Sequence, residues 1–440
     1  MGNLLNAIKS GKPNIRLNAL KKIKLQLDSG HLIKTGEVNN HIHTIYSFSP
    51  YSPAMAAYKA YNAGLSAIGI VDHDSVSGCR EFLKACGIIG IASTVGFEIR
   101  VNVLNTAVEG RKINNPDSAN IIYIAVHGIP HNAINRVNKF LKIIRSARNT
   151  RNVQMLNKLN NVIVKTGLKQ VDYKEDVYNI SMAGYGGSIT ERHILYALVK
   201  KIINKTGKGI KLIKFLSDYL EIDINITAKK FLDDENNPYY EYDLLGVLKA
   251  SFLDKIYIQP DYNECISVFK AVDFANLINA IPAYAYLGDV KESPTGDKKA
   301  EKFEDDFLEE LMPELKRIGF KAITYMPPRN NIEQLRRVKK LCKENDFMEI
   351  SGVDINSARQ SFNCPEIKNP EFSNLIDSTW ALIAHEKLAS FKEKYALFSR
   401  NNPFKDKTLE QRIKIYSEIG RKIDNRNPKK VKGILTEMKY

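Results

Sequence analysis

Glu37-Val38-Asn39-Asn40-His41-Ile42-His43-Thr44-Ile45-Tyr46-Ser47 places two histidines, His41 and His43, at alternate positions at the end of a mixed apolar and polar run. In a β-strand, residues i and i+2 point to the same side. Both imidazoles can then face one point in space, as two ligands of one metal ion must. Outward along the chain the pattern repeats. Val71-Asp72-His73-Asp74, Gly96-Phe97-Glu98 and Val126-His127-Gly128 each close an apolar, strand-like run.

The rest of the chain alternates in the same rhythm. Residues 4–27 have the pattern of an amphipathic helical arm broken near Pro13. Ser52-Pro53 marks a helix start, with Pro at the first helical position and Gly64 past the last. Strands are expected over 67–71, 93–97 and 121–126, with a helix over 77–86. From 131 to 275 the pattern is helical, with basic residues Arg136, Lys139, Lys142, Arg145, Arg148 and Arg151 read as a solvated face because no aromatics interleave with them. Strands at 281–286, 320–326 and 347–353 then alternate with helices at 303–318 and 331–344. Seven strands alternating with helices predict an α/β fold, a parallel barrel whose C-terminal strand ends carry the chemistry. The expected organisation is a helical arm (1–36), a first barrel half (37–130), a helical insertion (131–275), a second barrel half (276–385) and a polar helical tail without a core of its own (386–440).

Composition bounds the function. The chain has 440 residues, 44% of them hydrophobic, enough for a substantial core. No apolar stretch approaches the roughly 18–20 residues that span a membrane, and the first residues lack the basic and apolar regions of a signal peptide. The five cysteines are scattered and show no CxxC spacing, which predicts reduced thiols in a cytoplasmic protein rather than disulfides or a structural zinc site. The net charge of +16 attracts polyanions in principle, but Lys, Asn, Ile and Tyr are abundant throughout, so most of the excess reads as compositional. The lysine-rich 429–432 stretch reads as a solvated end. His31 and His385 lie in polar stretches and are expected to be exposed; Trp380 is expected to be buried packing.

A lone histidine at a strand end is most often a hydrogen-bonded structural residue. Five successive His, Glu and Asp positions at strand ends are a different matter. They supply the neutral imidazoles and carboxylates that a water-activating metal needs within about 2.0–2.2 Å. At these residues the chain resembles the PHP superfamily of metal-dependent phosphoesterases. Its HxHTxxS motif matches His41 to Ser47, its TDHD strand end matches Val71 to Asp74, its G-x-E matches Gly96 to Glu98, a later histidine matches His127, and its closing GSDxH is matched in part by Gly352 to Asn356. The resemblance covers about 37–130 and 275–365. It implies a distorted (β/α)7 barrel with a large helical insertion and helical N- and C-terminal extensions. It also implies divalent zinc, manganese or iron on His41, His43, His73, Glu98, His127 and Asp354.

The departures matter as much. Phe48 stands where three-metal members place an Asp or His, Tyr286 stands at the strand end where they carry Ala-His-Pro, and Asn356 replaces the last His. In the family's arrangement His41, His43, Glu98 and Asp354 keep a first ion, Glu98 and His127 contact a second, and a third retains only His73. One or two ions per chain are therefore expected, with His131 and Asp289 as further candidate donors. Gly186-Gly187-Ser188-Ile189-Thr190-Glu191-Arg192 reads as a helix start with a Ser188–Glu191 capping box, where Arg192 can clamp a phosphate; Arg329 is a second such cation. The expected activity is hydrolysis of a phosphomonoester or phosphodiester, on a small phosphorylated molecule or an oligonucleotide, with Asp72 or His73 orienting ligands or moving protons. No membrane and no obligate protein partner are implied. An amide hydrolase on the same barrel and a binding protein with a partly decayed metal site are the alternatives.

Overall fold

Seven strands pair in chain order: β1 (Val38–Ile42), β2 (Ala67–His73), β3 (Ala92–Asn102), β4 (Ile121–His127), β5 (Ile281–Tyr286), β6 (Ala322–Tyr325) and β7 (Met348–Ser351). A computed structural model describes residues 1–27, 34–115, 117–289 and 304–425, with Val431 and Gly433; His31 and Lys429, Lys430 and Lys432 lie outside them. The sheet curls until β1 meets the chain just beyond β7. Ile42 and Ile355 form a parallel bridge there. His43 N donates to Ile355 O and Ile355 N to His41 O, both at 3.0 Å. The result is a nearly closed barrel.

One strand departs from the expected parallel order. β4 runs antiparallel to both β3 and β5, while the remaining neighbours are parallel. A parallel return needs a crossover of a dozen or more residues, usually helical. The described residues of 103–120 form turns and no helix, so β4 folds straight back on β3. That pairing prolongs β3 to Asn102 and leaves Glu98 in the middle of a strand rather than at its end.

Helices α1 (Gly2–Lys9) and α2 (Pro13–Gln26) form the N-terminal arm, with Pro13 opening the second. Buried Arg16 docks the arm by pairing with Glu81 at 2.8 Å. Glu81 lies on α4 (Cys79–Ile89), which packs beside α3 (Pro53–Asn62). Ser52 caps α3 by accepting from Met55 N at 3.1 Å. Helices α5 (Ile134–Ile163), α6 (Glu191–Thr206), α7 (Ile210–Leu220), α8 (Ile226–Asp233) and α9 (Tyr240–Ile256) follow β4 and share a second apolar core. Helices α10 (Val268–Leu277), α11 (Leu308–Ile318) and α12 (Ile332–Glu344) return to the barrel's own core.

The C-terminal stretch has a core after all. Helices α13 (Asn374–Phe391) and α14 (Leu409–Lys422) bury Leu382, Leu388, Tyr416 and Ile419 against Ile281, Ala283, Met348 and Ile350 of the sheet. His385, expected at the surface, is buried there and accepts from Leu397 N at 2.9 Å. Trp380 is only half-buried, with Arg421 over its ring.

The basic face of α5 also divides. Arg136, Lys139 and Lys142 are exposed as expected. Arg145, Arg148 and Arg151, three residues apart, are buried. Arg148 and Arg151 reach Glu264 at 3.1 and 2.6 Å, Arg100 of β3 pairs with the same carboxylate, and Arg148 also meets Asp74 at 2.7 Å. Acidic partners far along the chain neutralise what looks in the sequence like a surface charge run. Burial opposes ionisation of Glu264, but Arg100, Arg148 and Arg151 outweigh it and hold its pKa down to about 2.

A depressed carboxylate contributes stability that is present above its unfolded value of about 4.5 and lost as pH falls toward 2. Breaking a buried ion pair on one side costs about 3–5 kcal/mol. Glu264→Gln should therefore lower stability by that order at pH 7, and its denaturation midpoint should fall less steeply than the parent's between about pH 4.5 and 2. Urea melts at several pH values check both.

Candidate metal centre

The seam between β1 and the chain after β7 brings the donors together. Asn39 bridges it: Nδ2 donates to Val353 O at 3.1 Å, and Oδ1 accepts from Val353 N and His41 N at 2.9 Å each. Gly352 is needed here, because a Cβ at that position would lie 2.5 Å from the Cβ of His41. The barrel closes this tightly only over a glycine.

Glu98 Oε2 is the point of convergence. His41 Nε2 lies 3.3 Å from it, His43 Nε2 3.5 Å and His73 Nδ1 3.5 Å. His43 Nε2 is also 3.3 Å from Asp354 Oδ1. Bonds of about 2.0–2.1 Å to a tetrahedral ion place neighbouring ligand atoms roughly 3.3–3.4 Å apart, so these are the separations a shared ion requires. Two overlapping donor groups result, His41–His43–Asp354 and His43–His73–Glu98.

Electrostatics agree with a cation here. Burial pushes His43 and His73 below the ordinary histidine value. His43 Nε2 faces two carboxylates yet has no hydrogen-bond partner among the described residues. A neutral nitrogen and carboxylate oxygens aimed at one point repel one another unless a positive charge lies between them. Burial also opposes protonation of His41, but Glu98 and Asp354 outweigh it and raise its pKa. The donor set fits a divalent ion of the zinc, manganese or iron type.

His127 is placed differently. It closes antiparallel β4 and its Nε2 is buried without a hydrogen-bond partner among the described residues. Burial and the neighbouring His41 lower its pKa to about 3. It belongs to neither donor group, whereas His73 is grouped with His43 and Glu98 rather than standing apart. His131 turns away to Glu386 at 2.8 Å, and Asp289 accepts from Glu304 N at 2.9 Å; neither lines the cavity.

Asp72 is fully engaged. Its Oδ1 accepts from Thr44 N at 2.6 Å and Ser47 Oγ at 2.7 Å, and its Oδ2 accepts from Thr44 Oγ1 at 2.6 Å. Ser47 Oγ in turn lies 3.4 Å from His43 Nδ1. This accounts for Thr44 and Ser47 at their spacing after the two histidines: they tie the loop, and through it the His43 ring, to the end of β2.

Three cations line the same cavity as the donors. Arg192 and Lys249 reach it from α6 and α9, and Arg329 from the turn after β6. Helix α6 starts at Glu191, with its N-cap at Thr190, two residues past the expected Ser188; its cap pairs Thr190 N with His193 Nδ1 at 3.0 Å. Ser188 instead donates to Asp74 at 3.1 Å. Burial works against Glu191, but Arg148 and Arg100 outweigh it and bring its pKa to about 2. Lys249 escaped sequence reasoning. It lies on a helix of mixed charge with no motif around it, and only the folding of the insertion brings it to the cavity.

The PHP domain model matches residues 39–266, just over half of the 440-residue chain. The chain belongs to the PHP domain family. Among curated proteins none matches. Two solved structures are distantly similar. One, from Bifidobacterium adolescentis and suggested to be a metal-dependent phosphoesterase, is 16% identical with TM-score 0.48, covering 76% of this chain and 95% of its own. The other, an amidohydrolase from Chromobacterium violaceum with bound sulfate and no metal, is 14% identical with TM-score 0.49, covering 74% and 90%. Family membership together with the donor groups supports a metal-dependent hydrolase.

Against the PHP pattern the three departures acquire structural roles. Phe48, at φ 76°, sits in the insertion's apolar core and meets the His193 ring edge-on at 4.9 Å. Tyr286 is buried at the end of β5, its hydroxyl on Asp305 at 2.6 Å. Asn356 donates to Asp354. Each side chain occupies its position with a contact of its own.

His41→Ala removes a donor common to the seam and to Glu98. It should strip most bound metal, measured by elemental analysis, with little change in far-UV circular dichroism. Asp72→Asn removes no donor but loosens Thr44 and Ser47. Loss of such outer contacts costs about 10–100-fold in metal affinity, and a chelator titration should show a fall in that range.

Proposed function

We propose that this PHP protein hydrolyses a phosphoester, using one or two divalent ions held by His41, His43, Glu98 and Asp354, with His73 on the same cluster. The carrying observation is that a compact His–carboxylate donor set shares one cavity with Arg192, Lys249 and Arg329. Such a set of cations favours an anionic group at the reaction centre. When bound, the ion supplies an activated water and neutralises developing charge.

The chain's own residues do the rest. Arg192 clamps the phosphoryl oxygens, and Lys249 and Arg329 add charge from either side. Asp72 keeps His43 aligned through Ser47. His73 lines the cavity with a ring that burial keeps neutral, as a metal donor or an orienting group requires. Tyr286, Leu287, Tyr325 and Met326 line the wall with apolar surface for the remainder of the substrate, a small phosphorylated molecule or the end of an oligonucleotide. Five free, buried cysteines suit a reducing compartment, the cytoplasm. Among the described residues no helix is long and apolar enough to cross a membrane.

The metal-loaded protein should turn over members of a panel of phosphomonoesters and phosphodiesters. Turnover of amides alone would replace phosphorus by carbon as the target, and retained metal with no turnover would make the chain a binding protein. A charge-assisted contact is worth about 1.5–3 kcal/mol. Arg192→Ala should thus lower kcat/KM for the best phosphoester roughly 10- to 150-fold while metal content stays at the parent level. Kinetics equal to the parent's would remove Arg192 from the site.

A further inference from the structure

Asn356 links two parts of the site that a metal-binding histidine at the same place would leave separate. Its Nδ2 donates to both oxygens of Asp354, at 2.8 Å each. Its Oδ1 accepts from Arg192 Nη1 at 2.9 Å, and its backbone carbonyl accepts from the same nitrogen at 3.3 Å. A guanidinium offers only donors and an ionised carboxylate only acceptors. A side chain that serves both must carry a donor and an acceptor, and a primary amide does. Reversing that amide would set like groups against each other at both ends, so its orientation is fixed by its neighbours.

The loop is held for this purpose. Gln360 Oε1 accepts from Asn356 N at 2.8 Å and from Ser357 N at 2.7 Å. Asn356, Gln360, Arg192 and Asp354 all line the cavity. Asp354 reaches His43 Nε2 at one end of this chain of contacts, and Arg192 lines the cavity at the other.

We infer that Asn356 is a positioning residue that fixes Asp354 toward the ion and Arg192 toward the substrate's anionic group as one unit. Metal affinity and anion affinity then both depend on a residue that touches neither ligand. The inference rests on the proposed metal site and adds to it that the two binding functions share a single side chain. It also explains how the site dispenses with the family's last histidine: the amide exchanges a direct donor for control over an existing one and over the arginine.

The test uses the full chain with Zn²⁺ and inorganic phosphate. Zn²⁺ affinity is read by chelator competition without phosphate. Phosphate affinity is read by calorimetry with Zn²⁺ saturating. Asn356→Ala should weaken Zn²⁺ binding about 10- to 100-fold, as loss of an outer contact does, and should weaken phosphate binding roughly 5- to 150-fold, the usual span of coupling between sites. In an Arg192→Ala background, Asn356→Ala should have no further effect on phosphate affinity, because its influence on the anion passes through that arginine. Asn356→Ser, which keeps one donor for Asp354, should fall between parent and alanine for Zn²⁺ and supports the same comparison if the alanine variant folds poorly. Equal Zn²⁺ affinity in parent and both variants overturns the inference, as do additive phosphate losses in the double variant, while the metal site itself stands. A parent chain that takes up no divalent ion overturns both.

Discussion

Two backbone hydrogen bonds between His41, His43 and Ile355 hold the candidate site in place. They join the first strand of the sheet to the chain beyond the last, and only across that seam does Asp354 come within reach of His43. The seam is narrow, which is why Gly352 faces the backbone of His41 and why Asn39 stitches both edges with one amide. Each such bond contributes about 1 kcal/mol net. Their larger effect is geometric, since they fix the distance between donors contributed by opposite ends of the chain.

The donors themselves are an arrangement that folding alone disfavours. Neutral imidazoles and carboxylate oxygens aimed at one point, largely out of water, gain little from one another. The surrounding structure over-determines them instead. Asp72 spends both oxygens on Thr44 and Ser47, and the loop that follows the histidines takes the left-handed backbone at Phe48. Strain of this kind persists at functional sites because neighbouring packing holds it. Here Phe48 is anchored in the core of the helical insertion, so the loop carrying the first donors is gripped from the barrel on one side and from the insertion on the other.

The insertion is a working part of the site. Its α5 arginines reach back to Asp74 and to Glu264, and Arg100 of β3 pairs with the same glutamate. Buried charge of this density is retained at a desolvation cost, and its effect is to tie α5 of the insertion to β3 and to the chain after β2. Arg192 and Lys249 therefore come from the insertion, whereas Arg329 and the acidic, histidine-rich donors come from the barrel.

Much of this was legible in the sequence where the physics is local. Alternation on β1 aimed His41 and His43 together, Ser52-Pro53 began a helix where a cap and a fixed φ favour one, and Ile281 to Tyr286 formed the strand its apolar run implied. What failed was non-local. The antiparallel return of β4 followed from the absence of a crossover helix and left Glu98 mid-strand, because Arg100 and Asn102 point inward to partners near residue 264 that no local pattern reveals. Arg145, Arg148 and Arg151 look solvated in the sequence, and the tail coreless, for the same reason. A charge or an apolar face has no burial until its distant partner is known. The sequence by itself determined which residues can donate to an ion and which local elements carry them. The tertiary structure alone decided which donors meet, that Lys249 faces them, and that Asn356 ties Asp354 to Arg192, because those relations are distances between segments hundreds of residues apart, set by barrel closure.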